Sequence, residues 1–245
     1  MKAYLNRILF LLALCCVFLP LSAEAQKPKR NNLNTENKIV STNKSKTENK
    51  TETKTSDPKP ALSALEIAIV EELNQARNEP QKYLVYLEEY KKYMQGNVLA
   101  LPNKQKLIMI EGLPAIDDAL IDLRQRSKIN SYEISGGLSK VARQQLADLQ
   151  ENPKLKHLGK DGSDLEMRLL KIGFPGSAIA ENISYRADIA REVILNMIID
   201  DGIKSRSHRK NIFSQSFKLF GIACGLASDK TTLCVAEFAD SFKER

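Results

Sequence analysis

The chain uses histidine only twice in 245 residues. His157 lies in "KHLGKDGSDLEMRL", a Gly- and Asp-rich turn leading into an amphipathic stretch, and His208 in "SRSHRKNIF", among cations and hydroxyls. Core packing explains neither imidazole. Between them Glu181 stands in "SAIAENISY", a carboxylate in mainly small and apolar company. A carboxylate withdrawn from water needs partners, and imidazoles are suitable ones. Two neutral imidazoles also suit zinc, whose catalytic sites usually leave a position open for water. A carboxylate near such a water can serve as a general base, which makes Glu181 the candidate catalytic residue of a hydrolysis.

Other chemistries are absent from the sequence. It contains no Gly-x-Ser-x-Gly elbow, no His-Glu-x-x-His, no phosphate-binding Gly-x4-Gly-Lys-[Ser/Thr], no Gly-x-Gly-x-x-Gly and no Cys-x-x-Cys, so neither a nucleotide enzyme nor a thiol oxidoreductase is indicated.

The elements that must position these residues are mostly helical until about residue 205. Leu65, Ala68, Ile69, Leu73 and Ala76 recur at helical spacing and predict an amphipathic helix to about Asn78. Pro80 opens a second helical stretch, Gln81 to Met94. Leu138, Val141, Ala142, Leu146 and Leu149 share a face of a third, closed by Pro153. "ADIAREVILNMIID", apolar nearly all round, predicts a buried helix with Asp188 as its N-cap. The period then changes. "FKLFGIACGL" and "TTLCVAEFA", separated by "ASDK", predict a β-hairpin. If Cys224 faces Cys234 across it, the turn centres on Asp229 with a three-residue loop, Ser228 to Lys230, and a disulfide between the two cysteines fits that register. Helices packed around a small antiparallel sheet, an α/β sandwich, are expected.

The N-terminal residues belong to a different class. Lys2 and Arg7 precede an apolar run from Ile8 to Leu21, and Ala23-x-Ala25 offers a small-residue cleavage site. Residues 1–25 therefore read as a secretory signal peptide, too short for a membrane span. Residues 26–60, Lys-, Thr- and Asn-rich, read as a disordered basic tether. Of the net charge of +7, residues 1–25 contribute +1, residues 26–60 +5 and residues 61–245 only +1. The basic balance thus argues for contact with anionic envelope polymers, and no nucleic-acid binding is expected of the folded part, residues 61–245. Export to periplasm, cell envelope or medium makes an even pair of cysteines a disulfide candidate.

The ordered set "LNQARNEP", "HLGKDGS" with the later Arg168, "AENISY", and "SHRKNIFSQSFKLFGIACG" followed by "CVAEFA" resembles the CAP superfamily: cysteine-rich secretory proteins, antigen 5 and pathogenesis-related proteins, with their bacterial SCP-like members. The resemblance spans about residues 65–240. It implies a three-layer α-β-α sandwich with a cleft lined by two histidines and two acids, in which the histidines hold a divalent metal such as zinc. By motif position these are His157, His208 and Glu181, with Asp200 as the second acid. Asp200 lies three residues after Met197, which takes the place of the tryptophan usual in the family; Asp201 and Glu192 are the alternatives. Ala180 replaces a usual glycine. With two nitrogen ligands the metal site is expected to be weak, completed by water or a carboxylate. The function implied is a secreted binding or interaction module for a lipid, a small apolar ligand, a surface polymer or a protein. The alternatives are a peptidase-like metal-dependent hydrolase using the same cleft, and a structural module presented at the envelope.

Overall fold

The computed structural model describes residues 61–245; the expected signal peptide and tether lie outside the described residues. Helix α1 spans Ala64–Asn78. Ser63 starts it through a reciprocal capping box, its hydroxyl accepting from Glu66 N while Glu66 accepts from Ser63 N at 2.7 Å. The same buried Glu66 accepts from Cys224 N at 2.9 Å, which fixes the start of α1 against the sheet. Helix α2 spans Pro80–Lys92, α3 Leu113–Arg124, α4 Gly136–Glu151, α5 Leu165–Ile172, α6 Ala190–Ile199 and α7 Ser207–Ile212.

The main sheet has four strands in the order β4 (Glu133–Ile134), β7 (Leu219–Leu226), β8 (Thr232–Ala239) and β6 (Ile179–Tyr185), all antiparallel except β4 against β7. A small sheet joins β1 (Met94–Gln95), β2 (Val98–Leu99) and β3 (Leu107–Ile108), and β5 (Gly173–Pro175) pairs with β9 (Phe242–Glu244). Strand alternation sorts the main sheet into two faces. Phe220, Ile222, Cys234, Ala236 and Phe238 enter the core shared with α1, α2, α3 and α6, whereas Ala223, Leu233 and Val235 pack with Ala142, Leu146 and Leu149 of α4. Two helical layers thus enclose one sheet, the α-β-α sandwich expected. At Gly221 an added Cβ would stand 2.3 Å from the Leu138 carbonyl carbon, so α4 lies too close here for any side chain.

The hairpin register is as derived. Cys224 opposes Cys234 with Cα atoms 4.1 Å apart, the disulfide joins them, and Ala227 N bonds Thr231 O around Ser228–Lys230. Lys230 takes φ +63°, the left-handed position that such three-residue loops require.

Elsewhere the structure departs from the periodicity. Ile189, not Asp188, is the N-cap of α6; Asp188 instead pairs with Lys104. "AENISY" is strand β6, not part of a helical region, and "SRSHRKNIF" contains the six-residue helix α7. A helix of fewer than two turns has no period to read, and its side chains are claimed by tertiary partners. None of the described helices is long and apolar enough to cross a membrane.

Candidate functional site

Strand β6 and helix α7 bring the sequence-predicted residues into two imidazole–carboxylate pairs. In the first, His157 Nδ1 lies 2.8 Å from Glu181 Oε1, and Arg168 donates to Glu181 Oε2 at 2.6 Å. The carboxylate and the guanidinium are each only 3 % exposed, while the His157 side chain is 58 % exposed. The turn carrying His157 is pinned from below. Arg168 donates to the His157 carbonyl at 3.0 Å, and Gln145 on α4 donates to the Lys156 and Leu158 carbonyls at 2.7 and 3.0 Å. Arg168 thus holds both the backbone of the imidazole and the acid it faces.

In the second pair His208 Nδ1 comes within 2.9 Å of Asp200 Oδ1, although Oδ1 gains no well-directed hydrogen bond from the approach. Asp200 Oδ2 accepts from His208 N at 2.9 Å. Asp200 ends α6 with φ +54°, and this left-handed turn aims its buried carboxylate back at the start of α7. Of the three acids weighed for this place, Asp201 instead accepts from the amides of Ile110, Glu111 and Gly112, and Glu192 faces Lys104.

Helix α7 is held by residues that periodicity could not single out. Arg77 of α1, fully buried, donates to the Ile212 and Ser214 carbonyls at 2.5 and 2.9 Å and stacks over Tyr132 at 3.5 Å. Asn182 of β6, also fully buried, donates to the His208 carbonyl at 3.1 Å and accepts from Asn211. Its Asn-Ile-Ser triplet is therefore no glycosylation acceptor in the folded protein. Arg206 pairs with Glu111 and Asp118, and Arg209 donates to the Ile198 carbonyl and to Asp118. These cations point into the protein, and the Arg206 guanidinium holds the Glu111 carboxyl below its ordinary range. Glu181 and Asn182 are neighbours on β6, so opposite faces of one strand reach the two pairs.

One functional candidate was missed. Glu237 of β8 stands directly opposite Glu181 in the register and is fully buried. Burial first, and the adjacent Glu181 charge second, push its carboxyl well above the usual carboxylate range. Among the described residues neither of its oxygens has a hydrogen-bond partner, and its side chain sits across the strand pair from Glu181. The signal was present in "CVAEFA", an acid at an inward position of a core strand.

Because each Nδ1 faces a carboxylate, Nε2 is the ring nitrogen left for a ligand in both histidines. Among the described residues no group of three or more His, Cys, Asp or Glu side chains is disposed to hold a metal ion. The donors therefore suit attachment through imidazole nitrogen completed by water, not a closed centre of four protein ligands. Beside His208 and Asp200 a cavity of about 270 Å³ opens, walled mainly by Leu, Ile and Met side chains. A second hollow of about 480 Å³ shares Leu99, Leu107, Tyr185 and Asn196 with it. A larger one, about 700 Å³ between α1, α2 and α6, touches neither histidine.

The arrangement is an α-β-α sandwich with imidazole–carboxylate pairs along the edge strand of its sheet. The protein-family model for the cysteine-rich secretory protein family, CAP, matches residues 118–238, and the chain belongs to that superfamily. No match to a curated protein sequence is found. Among solved structures, an outer surface protein of Borrelia burgdorferi is similar at 20 % identity, over 54 % of this chain and 91 % of its own, with a TM-score of 0.40. An extracellular SCP-domain protein of Bacillus anthracis is similar at 21 % identity, over 52 % of this chain and 39 % of its own, with a TM-score of 0.37. The venom allergen-like protein 4 of Schistosoma mansoni is similar at 12 % identity, over 75 % of this chain and 92 % of its own, with a TM-score of 0.39.

Proposed function

We propose that this CAP-domain chain is an exported binding module whose partner lies along the edge of β6, between the two imidazole–carboxylate pairs, and whose histidines take up a divalent metal such as zinc weakly. The observation that carries this reading is that a buried acid faces Nδ1 of each imidazole, hydrogen-bonded at His157 and in close approach at His208, which leaves Nε2 as the other ring nitrogen for a ligand. The apolar cavity beside His208 supplies a surface for a partner. The leader-like pattern from Lys2 to Ala25 and the Cys224–Cys234 disulfide support export to an oxidising compartment. Binding is favoured over hydrolysis because both Glu181 oxygens are already engaged, one by His157 and one by Arg168.

Zinc titration by calorimetry tests the metal reading. Imidazole ligation competes with protonation, so affinity should be lower at pH 5.5 than at pH 7.5. His157→Ala with His208→Ala should abolish binding. Equal affinity at the two pH values would rule out histidine ligation, and turnover of a peptide or ester panel lost in the double variant would favour the hydrolase instead.

A further inference from the structure

The geometry points to an extended peptide, apolar along its length and acidic at one end, as the partner that adds to the free edge of β6; this rests on the binding reading above and names its ligand. Among the described residues strand β6 pairs only with β8. Arg186 N bonds Thr232 O at 2.7 Å and Asp240 N bonds Ala178 O at 3.0 Å. Hydrogen-bonded pairs alternate along an antiparallel ladder, so the even-numbered residues of β6 face β8 and the amides and carbonyls of Glu181, Ile183 and Tyr185 point off the edge. No hydrogen bond from any described residue takes these groups. At Glu181 the side chain is buried but the residue is partly exposed, so it is the main chain that meets solvent; Tyr185 is exposed, and Ile183 between them is 8 % exposed, so the edge is most open at its two ends. Such a row of unpaired groups is a template for another strand.

The opposite wall suits the side chains of that strand. Ile108 and Ile110, which line the cavity beside His208, are 80 % and 76 % exposed. Large apolar groups exposed beside an apolar hollow mark a contact surface. The adjoining hollow, past Tyr185, is lined by Lys106, Arg186 and Lys230, for which no ion pair is found among the described residues, and by Asp229, whose charge Arg186 partly offsets, while Lys104 there is committed to Asp188 and Glu192; three cations thus face one carboxylate that is not already paired. A carboxylate at the end of the peptide meets these cations. A lipid would satisfy the cations and the apolar wall but not the main-chain groups of β6, and on that ground the peptide is preferred.

The test uses the full chain and peptides of about eight residues, enough to pair along β6. They alternate Val and Thr and carry two acids at one end or the other. Binding is read by fluorescence anisotropy, with anionic phosphatidylglycerol vesicles as a separate probe. One acidic peptide should bind. N-methylation of every second amide should weaken it about tenfold or more in one register, where it removes the paired donors, and little in the other. Lys106→Glu, Arg186→Glu and Lys230→Glu together, all at exposed positions, should weaken the acidic peptide about tenfold and favour one ending in lysine. Equal effects of methylation in the two registers, no peptide binding, or binding of vesicles alone would overturn the proposal. Zinc titration of the same samples keeps the two readings apart. Zinc binding without peptide binding removes only the peptide, and peptide binding without zinc binding removes only the metal.

Discussion

Glu237→Gln removes an ionisable proton from a fully buried position while keeping the side chain's size and a hydrogen-bond donor facing Glu181. In the native protein, burial and then the Glu181 charge hold the folded Glu237 carboxyl well above its ordinary value of 4.5. The folded state therefore keeps a proton that the unfolded chain releases. The stability contributed by that proton is complete below the unfolded value and declines as pH rises toward the folded one. The loss is about 1.4 kcal/mol per pH unit inside that window. Glutamine has no such proton, so the variant should gain on the native protein by that slope as pH rises from 5. For a folded part of this size the Tm difference should widen by about 3–6 °C per pH unit. Differential scanning calorimetry of both proteins from pH 4 to 8 measures it. Parallel Tm curves, or a native protein that gains on the variant with rising pH, would refute a neutral Glu237.

Arg168→Met leaves Glu181 buried without its cation and should cost about 3–5 kcal/mol in urea unfolding. Replacing both Cys224 and Cys234 by Ala should cost about 2–3 kcal/mol for so short a loop, and reductant, which should lower the Tm of the native protein, should leave this variant unchanged. Arg77→Met removes the clamp on the end of α7, so hydrogen exchange at the α7 amides should quicken more than at those of α4, which Arg77 does not touch. Equal acceleration in both helices would deny Arg77 that local role.

Long or strongly patterned elements were legible in the sequence because their information is local. The apolar stripe of α1, the all-round apolar α6 and the hairpin about Asp229 each follow from periodicity or turn chemistry within one segment. The two histidines and Glu181 stood out as polar groups without a packing reason, and the family motifs supplied Asp200. The short elements were not legible. Strands β1, β2 and β3 have two residues each, and α7 has six, so no repeat exists to detect.

By itself, the sequence determined which residues were available for chemistry, where helices α1, α2, α4 and α6 and the hairpin run, and that the charge lies in the N-terminal tail; the core helix α3 was not read from it. Only the tertiary structure decided how those residues are partnered. It chose Asp200 over Asp201 and Glu192 for His208, since a left-handed turn at the end of α6 aims one carboxylate at α7 while the next is spent on the amides of Ile110 to Gly112. It placed Glu237 under Glu181, 56 residues away in the chain, through strand register alone. Burial, charge pairing and open strand edges depend on which segments meet across the fold, and no local pattern carries that information.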